Sequence, residues 1–307
     1  ATAFGHESRF SMGSDIADIN NDGWLDIMTL DMLPPDEVVL KSSGGDDPPD
    51  ISDYKKSFGY HDQYSRNCLQ LNTGAGRRFS DIALYSGVAA TDWSWAPLMA
   101  DFDNDGRKDI FVSAGIVRRP NDLDYIKYIA NTEVQRVLRS SRRMDRSILE
   151  QMPSGKWHNY IFQGTDSLVF TDRSADWGLA TPAFSNGAAY ADLDNDGDLD
   201  LVVNRINEPA AVYRNRATAL NTYHSLQLRF KGNAPNTQGI GAKVWIRIGG
   251  HTQYASHQTT RGFQSSVAPG LSFGLGENDT VDSLIVSWPD GKMQLLTKVK
   301  AGQALHR

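Results

Sequence analysis

Only one cysteine, Cys68, is present, so no intrachain disulfide can form. It opens the strand-like run Cys68-Leu69-Gln70-Leu71 and reads as a small buried hydrophobe. The local sequence places no histidine to activate its thiol. No apolar run approaches the roughly 18 residues needed to span a membrane. Ala1 to Phe10 lacks the basic start and apolar stretch of a signal peptide, which points to a removed targeting segment or a longer parent chain. Also missing are a Gly-x-Ser-x-Gly elbow, a phosphate loop and a His-Glu-x-x-His motif, so the reading is not an enzyme. Positive charge is in deficit: the formal net charge of −6 argues against nucleic acid as the main partner.

What is present suits a folded β protein. Hydrophobic residues make up 40% and charged residues 22%, which excludes a disordered chain. At 307 residues there is room for two domains or one large β domain. The sequence also repeats itself. Asp18-Ile19-Asn20-Asn21-Asp22-Gly23-Trp24-Leu25-Asp26 recurs as Asp101-Phe102-Asp103-Asn104-Asp105-Gly106-Arg107-Lys108-Asp109. It recurs again as Asp192-Leu193-Asp194-Asn195-Asp196-Gly197-Asp198-Leu199-Asp200. Ala17, Ala100 and Ala191 precede the loops; Ile27-Met28, Ile110-Phe111-Val112 and Leu201-Val202-Val203 follow them as buried strands. Upstream, Asn67 to Ala89 resembles Asn159 to Ala180, each closing on Gly-aliphatic-Ala.

Side-chain oxygens at positions one, three, five and nine of such a loop can converge on one centre. Gly at position six permits the positive φ that lets the chain wrap. The apolar residue at position two (Ile19, Phe102, Leu193) is expected to point into the core. The backbone carbonyl at position seven (Trp24, Arg107, Asp198) can add an oxygen. A hard, flexible, all-oxygen shell suits Ca²⁺ better than Mg²⁺ or Zn²⁺. Three Ca²⁺ would offset the net charge of −6. Asn-Asp-Gly also favours plain turns, but three copies of one pattern outweigh that alternative. An EF-hand needs Glu at position twelve; here Thr29, Val112 and Val203 stand there.

At these residues the chain resembles the FG-GAP or VCBS repeats of integrin α-type propellers, over about Phe4 to Arg216. The resemblance implies β-propeller blades with calcium held in the loop between two strands. It carries the ligand positions onto Asp18, Asn20, Asp22 and Asp26; Asp101, Asp103, Asp105 and Asp109; and Asp192, Asp194, Asp196 and Asp200. Three blades do not close a ring of about four to eight, so further blades are expected upstream. From His224 to Leu305 there are strands and no Asp loop. Gly249-Gly250 and Pro289-Asp290-Gly291 mark two hairpins, with Leu284, Val286 and Trp288 on one face. Gly239-Ile240-Gly241-Ala242, Phe273-Gly274-Leu275-Gly276 and Val281-Asp282-Ser283 resemble the ASPIC/UnbV domain, which accompanies such repeats in the cartilage acidic protein family and in secreted bacterial proteins.

The expected fold is therefore all-β: partial propeller blades over residues 1–216, then a small β domain over 217–307. Insertions are placed at about 31–62 and 118–157. Asp31 to Asp62 reads as a surface excursion, and Asp122 to Gln151 as helical, with Tyr125, Ile126 and Ile129 as its apolar stripe. Arg136, Arg139, Arg142, Arg143 and Arg146 read as a solvated face. His251 and His257 fall on one strand face as two exposed hydrogen-bonding side chains, with a zinc pair as the weaker alternative. The functional expectation is a calcium-binding extracellular or cell-surface module recognising a protein or glycan. The alternative is an accessory domain of a larger secreted carbohydrate-active enzyme.

Overall fold

Each Asp loop is the turn of an antiparallel strand pair in the computed structural model, which describes residues 3–140 and 146–306. Ser14–Ala17 pairs with Asp26–Thr29, Asp92–Ala100 with Asp109–Ala114, and Ser185–Ala191 with Asp200–Arg205. In all three the alanine before the loop lies opposite its ninth residue: Ala17 and Asp26, Ala100 and Asp109, Ala191 and Asp200. The second and third pairs share a bulge at the same place, between Ser94 and Pro97 and between Ser185 and Ala188. A bulge is where a strand tolerates Pro97, which cannot donate to the ladder.

The first sheet continues through Cys68–Asn72 and Phe79–Asp81. The second continues through Tyr160–Gln163 and Thr171–Asp172, and borrows Met32–Leu33 on its other edge. The third has one further strand, Ala211–Tyr213. Successive blades pack face to face. Ile19, Met28, Leu69, Met99, Ile110 and Phe162 fill one core, and Leu98, Phe102, Phe111, Ile161, Leu201 and Val203 the next. Position two follows from this stacking. Ile19 and Phe102 are buried, whereas Leu193 is 53% exposed, because no blade follows the third one among the described residues.

The C-terminal segment folds as two sheets around a core of its own that includes Leu226, Val244, Phe273 and Leu284. One sheet orders Leu271–Gly276, His224–Arg229 and Gln303–His306; the other orders His251–Ser256, Lys243–Ile248, Thr280–Ser287 and Met293–Lys300. Both expected hairpins are present. Gly249 and Gly250 both have positive φ, 54° and 87°, as a two-residue primed turn requires. His257 is fully buried just past its strand, with Nδ1 3.1 Å from the Gly239 carbonyl and Nε2 accepting from the Gly270 N–H at 2.9 Å. His251 opens that strand and is exposed, so the two do not form the exposed pair that even spacing suggests.

A hairpin from this segment, Thr260–Arg261 with Ser265–Ser266, crosses onto the blades. Gly262 exchanges backbone hydrogen bonds with Ser14, at 3.0 and 3.2 Å. Phe263 packs on Trp95 with ring centroids 4.9 Å apart, and Val267 joins the core between the second and third blades. Arg261 reaches the Asp15 carboxylate at 2.6 Å and the Ile16 carbonyl at 3.1 Å. The hairpin thus lies over the innermost strands and ties the C-terminal segment to them.

The excursion Asp31 to Asp62 holds two short helices, Glu37–Ser42 and Pro49–Ser57. Its Asp and Pro residues are helix-start signals as well as loop signals. Asp36 caps the first helix by accepting from Val38 and Val39, and Pro49 is the first residue of the second. Asp122 to Gln151 contains Leu123–Ala130, Thr132–Ser140 and Arg146–Glu150. Among its described residues Tyr125 and Ile148 are buried, whereas Ile126 is 41% exposed. Arg142 and Arg143 lie outside the described residues.

Candidate metal centres

The three loops share one backbone solution. The asparagine at position four is left-handed in each (Asn21 φ 57°, Asn104 φ 61°, Asn195 φ 61°), as is the glycine at position six (Gly23 89°, Gly106 94°, Gly197 95°). The carboxylate at position one accepts the glycine N–H: Asp18 from Gly23 and Asp101 from Gly106 at 2.9 Å, Asp192 from Gly197 at 3.1 Å. Position five accepts from the N–H of position seven: Asp22 from Trp24, Asp105 from Arg107, Asp196 from Asp198. Position nine is anchored twice, one oxygen by the N–H of position two and the other by the end of the blade's third strand. Asp26 takes Ile19 and Asn72, Asp109 takes Phe102 and Gly164, Asp200 takes Leu193 and Asn215. These bonds fix the orientation of the short acidic side chains.

Asp101, Asp103 and Asp109 bring ligand oxygens within 4.8 Å of one another, and so do Asp192, Asp194 and Asp200. Either group could hold a metal ion. Asp105 and Asp196 stand outside these groups. Asp105 is 3.0 Å from the Arg107 guanidinium, and Asp196 is 3.7 Å from that of Arg214. In the first loop Asn20 replaces the third carboxylate, and its amide donates to Asp22 at 3.0 Å. The side chain of Asp198 serves the fold, since it is fully buried and accepts from Asn104 at 2.7 Å and from Thr218 at 3.0 Å. Trp24 is 49% exposed.

Sequence reasoning missed the partners of position three. Gln163 ends the third strand of the second blade and donates to Asp103 at 2.6 Å. Arg214 holds the same register in the third blade and meets Asp194 at 2.6 Å. Leu71, the residue before Asn72, occupies that place in the first blade and packs against its core, in the blade whose position three is the neutral Asn20. The residue thus follows the charge: apolar for Asn, amide or guanidinium for Asp. Aligning the third strands of the repeats would have exposed this. Asparagine at position four links the loops in series, Asn21 donating to the Gly106 carbonyl at 3.0 Å and Asn104 to Asp198.

Burial pushes the Asp18 carboxyl up to about 6 and those of Asp26 and Asp101 up to about 7. Burial and the surrounding carboxylates also raise Asp109 well above its ordinary value. The Asp101 Oδ1 atom is buried without a hydrogen-bond partner. An all-oxygen donor set, crowded carboxylates and one unpartnered oxygen fit a hard divalent cation. The sign of the pH dependence follows. Folded Asp18, Asp26 and Asp101 keep protons that the unfolded chain releases near 3.8, so stability falls as pH rises from about 4 through 7. Metal-free protein is expected to unfold at a higher temperature at pH 5 than at pH 8, with saturating Ca²⁺ shrinking the difference. A midpoint that rises between pH 5 and pH 8 without metal contradicts this.

The thiol of Cys68 is buried, and burial pushes it up to about 12. It lies beside His6 and Asp81, but Asp81 is taken by His6 at 2.8 Å and by Arg66. That arrangement keeps the sulfur protonated.

Two family models match the chain: FG-GAP-like repeat over residues 58–112, and ASPIC and UnbV over residues 232–306. The first match runs from the end of the first insertion through the second Asp loop, and the second covers most of the C-terminal sheets. Among curated proteins the chain is similar to cartilage acidic protein 1. The Xenopus tropicalis protein is 28% identical over 232 residues, covering 73% of this chain and 30% of that protein. The human protein is 27% identical over 275 residues, covering 82% of this chain and 35% of that protein. This chain spans about a third of the length of these relatives. Among the described residues no helix is long and apolar enough to cross a membrane. The chain is therefore one that carries an FG-GAP-like repeat followed by an ASPIC/UnbV domain, with cartilage acidic protein 1 among its relatives.

Proposed function

We propose that the chain is a calcium-binding module of the extracellular space or cell surface, a binder and not an enzyme. The observation that carries this is the repetition of one backbone geometry in three loops, with three carboxylates gathered within 4.8 Å in the second and third of them, though Asp18, Asp22 and Asp26 of the first are not gathered in this way. The proposed ligands are the carboxylates and Asn20 at positions one, three, five and nine, with the carbonyls of Trp24, Arg107 and Asp198. Loops of this kind bind with a Kd of about 10⁻⁴ to 10⁻³ M in extracellular modules, which works only where calcium is plentiful. Bound calcium stiffens the blades, and the insertions present the recognition surface to a protein or glycan. Val38, Tyr54, Phe58 and Tyr60, all on the first insertion, are 76%, 63%, 68% and 59% exposed, more apolar surface than a plain linker needs.

Calorimetric titration with Ca²⁺ tests the reading and is expected to show three ions bound. The first loop should be the weakest site. It has one carboxylate fewer, with Asn20 at position three. Asp22→Ala should therefore remove the weakest site, and Asp105→Ala and Asp196→Ala each a tighter one. Loss of the tightest site in Asp22→Ala would refute the ranking, and no binding at millimolar Ca²⁺ would refute the module itself.

A further inference from the structure

The C-terminal segment closes over the second and third Asp loops. Gly274 lies so near the second loop that a Cβ there would stand 2.1 Å from Asp101 Oδ2 and 2.6 Å from the Asn104 Cα. Next to it the Gly276 N–H donates to the Asn104 carbonyl at 2.9 Å. Gln253, 4% exposed, packs on Gly106 and donates to the Gly274 carbonyl at 2.7 Å. At the third loop Ser225 donates to the Gly197 carbonyl at 2.9 Å, and Gln227 donates to Asp192 Oδ2 at 2.6 Å. The second loop has an amide from its own blade, Gln163, on position three; the amide on the third loop, Gln227, comes from the other unit.

We propose that the C-terminal unit is the clamp of the Asp loops, with Gln227 as a positioning residue for the third site, so that docking of this unit and loading of the loops with Ca²⁺ form one linked equilibrium. This rests on the calcium reading above. An amide that fixes one carboxylate oxygen spares the cation the work of orienting it, and such outer partners commonly carry about 10- to 100-fold in metal affinity. Linkage is reciprocal, so whatever docking adds to calcium affinity, calcium adds to docking.

The test uses the full chain. Ca²⁺ binding is followed by calorimetry, and docking by hydrogen exchange at the Gly276 amide with Ca²⁺ and with EGTA. In the unmutated protein Ca²⁺ is expected to slow that exchange at least tenfold. Gln227→Leu should weaken one site about tenfold. In an Asp196→Ala background, where the third site is already lost, the same substitution should leave the remaining isotherm unchanged. Gly274→Ala, at a position whose φ suits alanine, should weaken calcium binding and speed Gly276 exchange together. Normal binding in the unmutated protein with unaltered affinity in both variants, or calcium-independent exchange at Gly276, overturns the clamp and leaves the calcium reading standing. Failure of the unmutated protein to bind Ca²⁺ overturns both.

Discussion

Millimolar Ca²⁺, and not Mg²⁺, is expected to raise the thermal unfolding midpoint by more than about 10 °C over the protein in EGTA. At about 10 mM Ca²⁺, roughly 100 times a Kd of about 10⁻⁴ M, each site stabilises the folded state by about 2.7 kcal/mol. Three such sites give about 8 kcal/mol, and a chain of this size moves by roughly 2 °C per kcal/mol. Relief of carboxylate repulsion is the molecular source: the Asp101, Asp103 and Asp109 oxygens crowd within 4.8 Å of one another. Selectivity against Mg²⁺ follows from the loop, which offers many oxygens on a flexible turn, whereas Mg²⁺ holds its waters in a tight octahedron. Scanning calorimetry in the three conditions decides it. Equal midpoints in Ca²⁺ and EGTA would reduce the loops to acidic turns.

Arg261→Met is expected to destabilise the protein by about 3 to 5 kcal/mol, whether or not calcium is present. Arg261 and Asp15 are 9% and 2% exposed, and they meet at 2.6 Å. Removing the guanidinium leaves Asp15 buried with only the N–H groups of Met99 and Ile16 on it, at 2.7 and 2.8 Å. Burial already pushes the Asp15 carboxyl up in spite of Arg261. The double variant Asp15→Asn/Arg261→Met should recover much of the loss, since no uncompensated charge remains. Urea unfolding of the three proteins measures this. A single variant within about 1 kcal/mol of the parent would mean that the hairpin is not held by its ion pair.

Much of this architecture can be read from the sequence because the Asp loops are local. Nine consecutive residues with Gly at position six specify a turn, its flanking strands and the direction of its carboxylates. The Gly249-Gly250 hairpin is legible for the same reason, since both residues need positive φ. Contacts that bring distant segments together leave no such mark. Gln227 on Asp192, Arg261 on Asp15 and Gly274 against Asp101 join residues whose neighbours in sequence say nothing of one another. Leu193 shows the same limit inside a repeat: the pattern makes it equivalent to Ile19 and Phe102, but its burial depends on whether another blade follows. Gln163 and Arg214 fall between the two cases, being visible once the strands are aligned.

The hairpin over the inner strands also has a kinetic side. Arg261 and Asp15 are 246 positions apart, so this contact closes a loop spanning most of the chain. Such contacts form late, after the entropy of loop closure has been met. On a ribosome, the inner strands of the blades emerge long before the residues that cover them. Their unpaired edges then resemble those that aggregate or pair with other chains. Folding yield should therefore depend less on any blade than on how soon the C-terminal segment arrives.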